Sequence, residues 1–302
     1  MALSACNKDD DPDMPSGQKG QINIEITDAP VDDASVEGVF VTIADIKVDG
    51  NSIDGFSKTT INLMAFQNGN TKNLGTFEMD AKAYSNVSFV LDIEQDDNGN
   101  SPGCYVIETD GTKHKLSSTS SNEVEMTYAF TTESSQETNL VIDFDLRKSI
   151  KKEQSEQSNY GFVSSSELNH AVRVVSKMKA GTIKGNCNDT FSNSDMIVVY
   201  SYKKGTYDSN TEMQGSAESG LRFHNAVNSA RVGANGDFEL HFLEEGEYEI
   251  HFVAYEQNQS TGEMELKGLL LVEVLSSLDL GSITVDASAT VTANVLVTGI
   301  VQ

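Results

Sequence analysis

The chain has 302 residues, 46 of them Asp or Glu and 21 Lys or Arg, for a formal net charge of −25. That charge repels polyanions and anionic bilayers, which argues against a nucleic-acid partner and against docking on an anionic membrane surface. It suits a soluble monomer, with a divalent-cation-loaded surface as the sharper alternative. No run of 18 or more apolar residues occurs, so no sequence segment spans a bilayer as a helix, and the length suffices for two domains with separate cores.

Leu3-Ser4-Ala5-Cys6 reads as a bacterial lipobox, with small residues before a cysteine that becomes an acylated N-terminus. Asn7-Lys8-Asp9-Asp10-Asp11-Pro12-Asp13 follows without hydrophobic periodicity, and residues 1–20 are expected to form a disordered acidic tether. Lys8-Asp9-Asp10 resembles the acidic signal behind the lipid cysteine of surface-exported Bacteroidetes lipoproteins. That resemblance implies an outer-membrane lipoprotein facing outward, with the lipid on Cys6 as anchor. Only five residues precede Cys6, too few for the charged and apolar regions of a signal peptide, so the natural start is expected upstream, or the chain is a fragment.

From Gln21 the pattern changes. Ile22, Ile24 and Ile26 alternate with Asn23, Glu25 and Thr27, the period of a strand with one face in the core. Asp28-Ala29-Pro30 breaks it, and Val39, Val41 and Ile43 give a second strand. Asn62-Leu63-Met64-Ala65-Phe66 reads as a strand end running into one helical turn. Val87-to-Ile93, Tyr105-to-Ile107, Val124-to-Phe130 and Leu140-to-Leu146 continue the alternation between Gly, Asn, Asp and Ser turns, which argues for a β-sandwich over residues 21–178. Lys148 to Tyr160 is charge-mixed and reads as a long exposed loop.

Four pieces of this region, beginning Ile24-Glu25-Ile26-Thr27-Asp28-Ala29-Pro30 and Val39-Phe40-Val41-Thr42-Ile43-Ala44-Asp45-Ile46, stand in the order of a bacterial family. The others are Ile61-to-Gly69 and Val141-Ile142-Asp143-Phe144-Asp145-Leu146-Arg147-Lys148-Ser149. They resemble the family known as domain of unknown function 4382 from about Gly20 to Met178, with Ala171-to-Val175 at the place of its closing strand. The resemblance implies a secreted β-domain and supplies no activity. Asn169-His170 replaces a usual proline, and Ala83 before Tyr84 replaces a usual glycine.

Residues 179–302 begin a second sandwich, with Met196-to-Tyr200 as a buried strand and Ile283, Val285, Val291, Ala293, Val295 and Val297 in the last strands. Phe238, Leu240 and Phe242, then Tyr248, Ile250 and Phe252, read as a hairpin that sets His241 against Glu249 and Glu239 against His251. The Gly181-to-Gly185 opening, Gly236-Asp237-Phe238 and Gly246-Glu247-Tyr248 resemble the transthyretin-like or carboxypeptidase-regulatory-like sandwich, which implies a spacer or binding scaffold. The expected fold is all-β, two tandem β-sandwich (Ig-like/prealbumin-like) domains behind a tether.

Chemistry is sparse. His114, His170, His224, His241 and His251 are scattered, with no zinc-ligand spacing, and no metal or other cofactor is expected. Asp96-Asp97-Asn98-Gly99-Asn100 lacks the distal glutamate of a calcium loop and reads as a turn. Asp143 and Asp145 could form a hydrolytic acid pair but read better as solvated surface. Cys104 and Cys187 are expected as free, partly buried thiols, with a bridge left open. Trp is absent, which weakens sugar stacking, although Tyr105, Tyr160, Tyr202 and Tyr207 could substitute. The expectation is a non-enzymatic, lipid-anchored surface protein acting in adhesion, ligand capture or as an accessory subunit, pairing with a protein partner through an edge strand. The alternatives are a glycan-binding accessory of polysaccharide uptake and, more weakly, a hydrolase.

Overall fold

A computed structural model describes residues 17–28, 35–117, 120–153, 159–215, 218–260 and 264–301; Cys6, Lys8, Asp9 and Asp10 lie outside the described residues. The N-terminal strands are β1 (Lys19–Thr27), β2 (Val36–Val48), β3 (Asn51–Ser52), β4 (Thr59–Asn62), β5 (Lys72–Asp80), β6 (Ala83–Leu91), β7 (Tyr105–Glu108), β8 (Lys113–Lys115), β9 (Glu123–Thr131) and β10 (Glu137–Phe144). Helix α1 (Leu146–Ser149), β11 (Ile150–Lys152), β12 (Tyr160–Phe162), helix α2 (Ser165–Ala171) and β13 (Val172–Ser176) complete this part. One sheet runs β13-β10-β1-β5; the facing one runs β8-β7-β2-β6-β9, with β3 and β4 on β2. Their inner faces share one core, from Ile22, Ile24 and Ile26 across to Val41, Ile43, Val87 and Phe89.

The C-terminal strands are β14 (Ala180–Asn188), β15 (Met196–Lys203), β16 (Asn228–Arg231), β17 (Asp237–Glu244), β18 (Gly246–Gln257), β19 (Met264–Val274), β20 (Ile283–Val285), β21 (Thr290–Thr292) and β22 (Val295–Val301), with one helical turn at Ser209–Glu212. They order as β16-β15-β18-β19-β22-β14-β17, with β20 on β18 and β21 on β14. Strand β14 pairs with β17 and β21 along its first part and with β22 at its end, so it carries the sheet around a corner to close a second sandwich. Strand β15 is apolar on both faces because both are covered. Ile197 and Val199 enter the main core, while Met196, Val198, Tyr200 and Tyr202 enter a second cluster with Phe223 and Ala226. Among the described residues, every strand pairing stays within residues 19–176 or within 180–301.

The polar face of β1 is covered as well as its apolar one: Asn23, Glu25 and Thr27 are buried. Their polar atoms survive burial because each is bonded. Asn23 donates to Asn139 at 2.9 Å, Thr27 donates to the carbonyls of Phe66 and Asn70 at 2.9 Å, and Glu25 accepts from Lys177 at 2.7 Å. The predicted hairpin of β17 and β18 does not form. Strand β17 pairs with β14, and β18 pairs with β15, β19 and β20.

The pairing of β14 with β17 slips between Gly181 and Ile183, opposite His241 and Phe242, and Phe242 adopts φ +54°. This bulge shifts the phase, so Leu243 rather than Phe242 enters the core behind Phe238 and Leu240. The histidines accordingly sit beside glutamates of their own strands, His241 with Glu239 at 2.8 Å and His251 with Glu249 at 3.5 Å.

The expected loop from Lys148 to Tyr160 is instead anchored at both ends, by α1 and by the β11–β12 pairing. Helix α2 was not anticipated. Ser164 and Glu167 form a reciprocal capping box at its start, the Ser-x-x-Glu signal that could have located it. The turn at Asn62-to-Phe66 is present as a 3₁₀ turn at Leu63–Ala65.

Candidate functional site

The two sandwiches meet along a seam built from the residues after β10. Asp145 caps α1 by accepting from the Lys148 backbone N–H, and its carboxylate lies 3.1 Å from Arg147 and 3.4 Å from the Lys148 ammonium. Both cations reach across. Arg147 donates to the carbonyls of Arg222 and Phe223 at 3.1 and 2.9 Å, and Lys148 donates to the carbonyl of Ala226 at 3.0 Å. Beneath them the Arg147 guanidinium lies 5.1 Å from the Tyr200 ring, which stacks on Phe223 at 4.3 Å. Arg173 on β13 pairs with Asp143 at 2.6 Å and donates to the carbonyl of Phe242 at 2.8 Å. The bulge in β17 thus turns a carbonyl toward the seam that a regular ladder would have used.

Burial pushes the Asp145 carboxyl up, but Arg147 and Lys148 outweigh it and hold the group below its usual range. Burial pushes the Lys148 ammonium down more strongly than Asp145 holds it up. The carboxylate's direction governs this pair, because Asp145 faces two cations. Asp28 differs. Among the described residues it makes no ion pair, burial raises its carboxyl well above the usual range, and bonds from Gln67 and the Leu146 N–H only partly offset this. Glu167 is held at about 2: burial raises it, but donors at Ser219, across the seam, and Ser164 prevail.

Among the described residues, two hollows adjoin the ion network. A void of about 20 Å³ touches Asp28, Gly69, Asp143, Glu239 and His241, room for about one water. The other is a cleft of about 460 Å³, within the roughly 300–1,000 Å³ range of small-ligand sites. Val39, Val106, Ile150 and Tyr160 line it from the N-terminal sandwich, and Leu221 and Met264 from the C-terminal one. Among the described residues its charged lining is Arg147, Lys151, Lys152 and Arg222; Arg147 is paired with Asp145 and Lys151 with Glu153.

The remaining sequence candidates do not converge here. Asp143 and Asp145 are each 3% exposed, a correction to the solvated-surface reading; the second sandwich covers the strand face that composition alone leaves open. Tyr105, Tyr160 and Tyr202 are buried, so they offer no stacking platform, and half-buried Tyr207 stacks on His251 at 3.8 Å. Asp96 caps its own turn by accepting from the N–H groups of Asn98 and Asn100. Cys104 and Cys187 are free and fully buried rather than partly so, and burial pushes both thiols up to about 12. Among the described residues no group of three or more His, Cys, Asp or Glu is placed to hold a metal ion. Sequence reasoning missed Arg147, Lys148, Arg173 and Glu167 as seam residues, and Lys151, Lys152 and Arg222 as cleft residues.

Residues 19–163 match the family model described as Domain of unknown function (DUF4382), a span that ends before α2 and β13. No curated protein matches the chain. Among solved structures it is similar to a leucine-rich repeat protein from Bacteroides thetaiotaomicron, at 12% identity and a TM-score of 0.24, over 92% of this chain and 26% of that one. It is similar to BcpA, the major pilin subunit of Bacillus cereus, at 9% identity and a TM-score of 0.23, over 93% and 70% of the two chains. A candidate carbohydrate binding protein from Pseudomonas aeruginosa aligns at 14% identity and a TM-score of 0.22, over 40% of this chain and 91% of that one. This chain therefore spans about a quarter of the first of these.

Proposed function

We propose that this chain is a non-enzymatic binding protein of the cell surface, held by a lipid on Cys6, directed outward by Lys8, Asp9 and Asp10, and capturing a small ligand in the cleft between its sandwiches. The observation that carries the reading is the cleft itself. It is of ligand size, apolar over much of its lining, and framed by elements that the buried ion network locks in place. The acidic pair is committed elsewhere, since Asp143 is held by Arg173 and Asp145 by Arg147 and Lys148.

In this reading residues 21–178 supply the cations that grip the second sandwich. Residues 179–302, transthyretin-like in their motifs, serve as scaffold and opposite wall. Edge pairing with a protein partner is the weaker mode. The open side of β5 is interrupted where its pairing with β1 slips near Gly75, and it carries Lys72, Glu78 and Asp80, features that blunt an edge.

Two measurements test this. In a full-length precursor, Cys6→Ser should abolish lipid labelling and release the protein from membrane fractions; unchanged labelling removes the anchor. A thermal-shift screen of the whole chain against small metabolites should give stabilising ligands whose effect disappears in Met264→Trp, which fills the cleft. Ligands that stabilise the variant equally place the site elsewhere.

A further inference from the structure

We infer that the joint between the sandwiches is closed around a proton: Asp28 is a neutral carboxylic acid in the folded chain, and ionising it loosens the seam. The inference concerns the small void, not the cleft, and stands whether or not the cleft takes a ligand.

The geometry offers Asp28 no charge of its own to pair with. It is 5% exposed at the end of β1, where Oδ1 accepts from the Leu146 N–H and Oδ2 from the Gln67 amide, both at 3.1 Å. Both donors are neutral. The bases on the neighbouring elements are held by other acids: Arg173 by Asp143 at 2.6 Å, Arg147 and Lys148 by Asp145, and Lys177 by Glu25. The segment that follows, Ala29 to Ala34, adds Asp32 and Asp33 to the sequence and no base, and Lys8 is the single Lys or Arg outside the described residues. A carboxylate buried this deeply without a cation takes up a proton instead. Burial raises the carboxyl well above its usual range; the Gln67 and Leu146 bonds oppose that, and the charges of Asp145 and Asp143 add to it.

Water cannot relieve the charge in the closed seam. The void beside Asp28 measures about 20 Å³, room for about one molecule, and its far wall comes from the second sandwich through Ser229, Glu239, His241 and Phe242. Ser229 is 3% exposed, and among the described residues its hydroxyl has no hydrogen-bond partner. A neutral carboxyl has an O–H to donate, and one water in the void joins it to Ser229, a hydrogen-bonded path from one sandwich to the other. Ionised, Asp28 loses that donor and adds a negative charge beside Asp143, Asp145 and Glu239. His241 is the group on the far wall able to turn cationic, and Glu239 already lies 2.8 Å from its Nε2. Hydrating the carboxylate therefore requires the walls to part. Those walls carry the cross-seam bonds: Leu146 opens α1, whose Arg147 and Lys148 reach the second sandwich, and Arg173 holds both Asp143 and the Phe242 carbonyl.

A carboxyl raised in the folded state keeps a proton that the unfolded chain releases above its ordinary 3.8. Stability thus falls as pH rises from there to the folded value, and is level beyond it. Asp28→Asn keeps the shape and has no proton to lose. Urea unfolding of the full chain should therefore give a parent-to-variant ratio of unfolding constants that grows about tenfold from pH 5 to pH 6. His241 and the other titrating groups are common to both chains. Hydrogen exchange reads the seam through the Ser219 N–H, which Glu167 accepts from across it. Its protection, corrected for the intrinsic rate, should fall from pH 5 to pH 8 in the parent and hold in Asp28→Asn. Should the variant not fold, carbon-13 NMR of the aspartate-labelled parent decides, since one carboxyl should remain protonated at pH 6. Equal pH dependence in parent and variant, or a labelled parent with every aspartate ionised at pH 6, removes the proton. A tenfold ratio with Ser219 protection unmoved confines the proton to the first sandwich and overturns the joint.

Discussion

Glu167→Gln isolates one charge that serves both a helix and the seam. Glu167 is 8% exposed; its carboxylate accepts from the Ser164 N–H and hydroxyl, closing the capping box of α2, and from the Ser219 N–H of the second sandwich at 2.8 Å. A carboxyl moved from its ordinary 4.5 to about 2 contributes about 3 kcal/mol of linkage at neutral pH. Glutamine keeps the shape and neutral hydrogen bonds, which are about half as strong, so the variant should lose about 1–2 kcal/mol at pH 7. The sign follows from the lowered value. The contribution is complete above the unfolded-state 4.5 and is lost as pH falls toward about 2, so more than half of it should be gone by about pH 3. Urea unfolding of parent and variant, from pH 7 down to pH 3, reads the difference directly and cancels the other acids. A gap that persists unchanged at pH 3, or is absent at pH 7, refutes the charge-based account.

Three further outcomes follow from the same geometry. Arg173→Met strands Asp143 at a 3%-exposed position and should lose about 2–4 kcal/mol in urea unfolding, with much of it regained in Arg173→Met/Asp143→Leu; a single variant as stable as the parent contradicts the pairing. Gly69 has φ +78°, and an added Cβ would sit 2.8 Å from the His241 ring, so Gly69→Ala should cost about 1–2 kcal/mol by thermal melting, and a neutral result would mean the ring has free space. Cys104 and Cys187, with thiols raised to about 12, should resist Ellman's reagent at pH 8 in the folded chain and react fully in denaturant; prompt labelling of the native protein would show either to be accessible.

The strands were legible because their apolar faces alternate, and alternation survives whatever covers the other side. What covers it was not legible. Asn23, Glu25, Asp143 and Asp145 occupy positions where polar residues ordinarily meet water, and nothing local tells a solvated face from one closed by a second body with matching donors. The β17–β18 hairpin failed for a related reason. Two matched alternations around Glu245-Gly246 fit a hairpin equally well as a corner between layers, and only the pairing with β14 and β15 chooses. Lys151 and Lys152 read as solvated charge because their opposite wall, at Leu221, Arg222 and Met264, comes about 70 to 110 residues later. Helix α2 is the contrary case: Ser164-x-x-Glu167 was present and sufficient.

The distribution of cations joins the two sandwiches. In a chain with 21 bases against 46 acids, self-repulsion works against closing two acidic bodies on one another. Arg147, Lys148, Arg173 and Lys177 all sit between residues 147 and 177, where the first sandwich hands over to the second, and each is paired with an acid or a carbonyl there. The seam is therefore the place where, among the described residues, the acid excess is locally offset. The buried pairs should be little screened even as the Debye length falls from about 10 Å at 0.1 M to about 3 Å at 1 M. Raising salt between those values should thus leave the urea midpoint nearly unchanged. A midpoint that falls steeply with salt would mean that exposed charges, not the buried network, hold the sandwiches together.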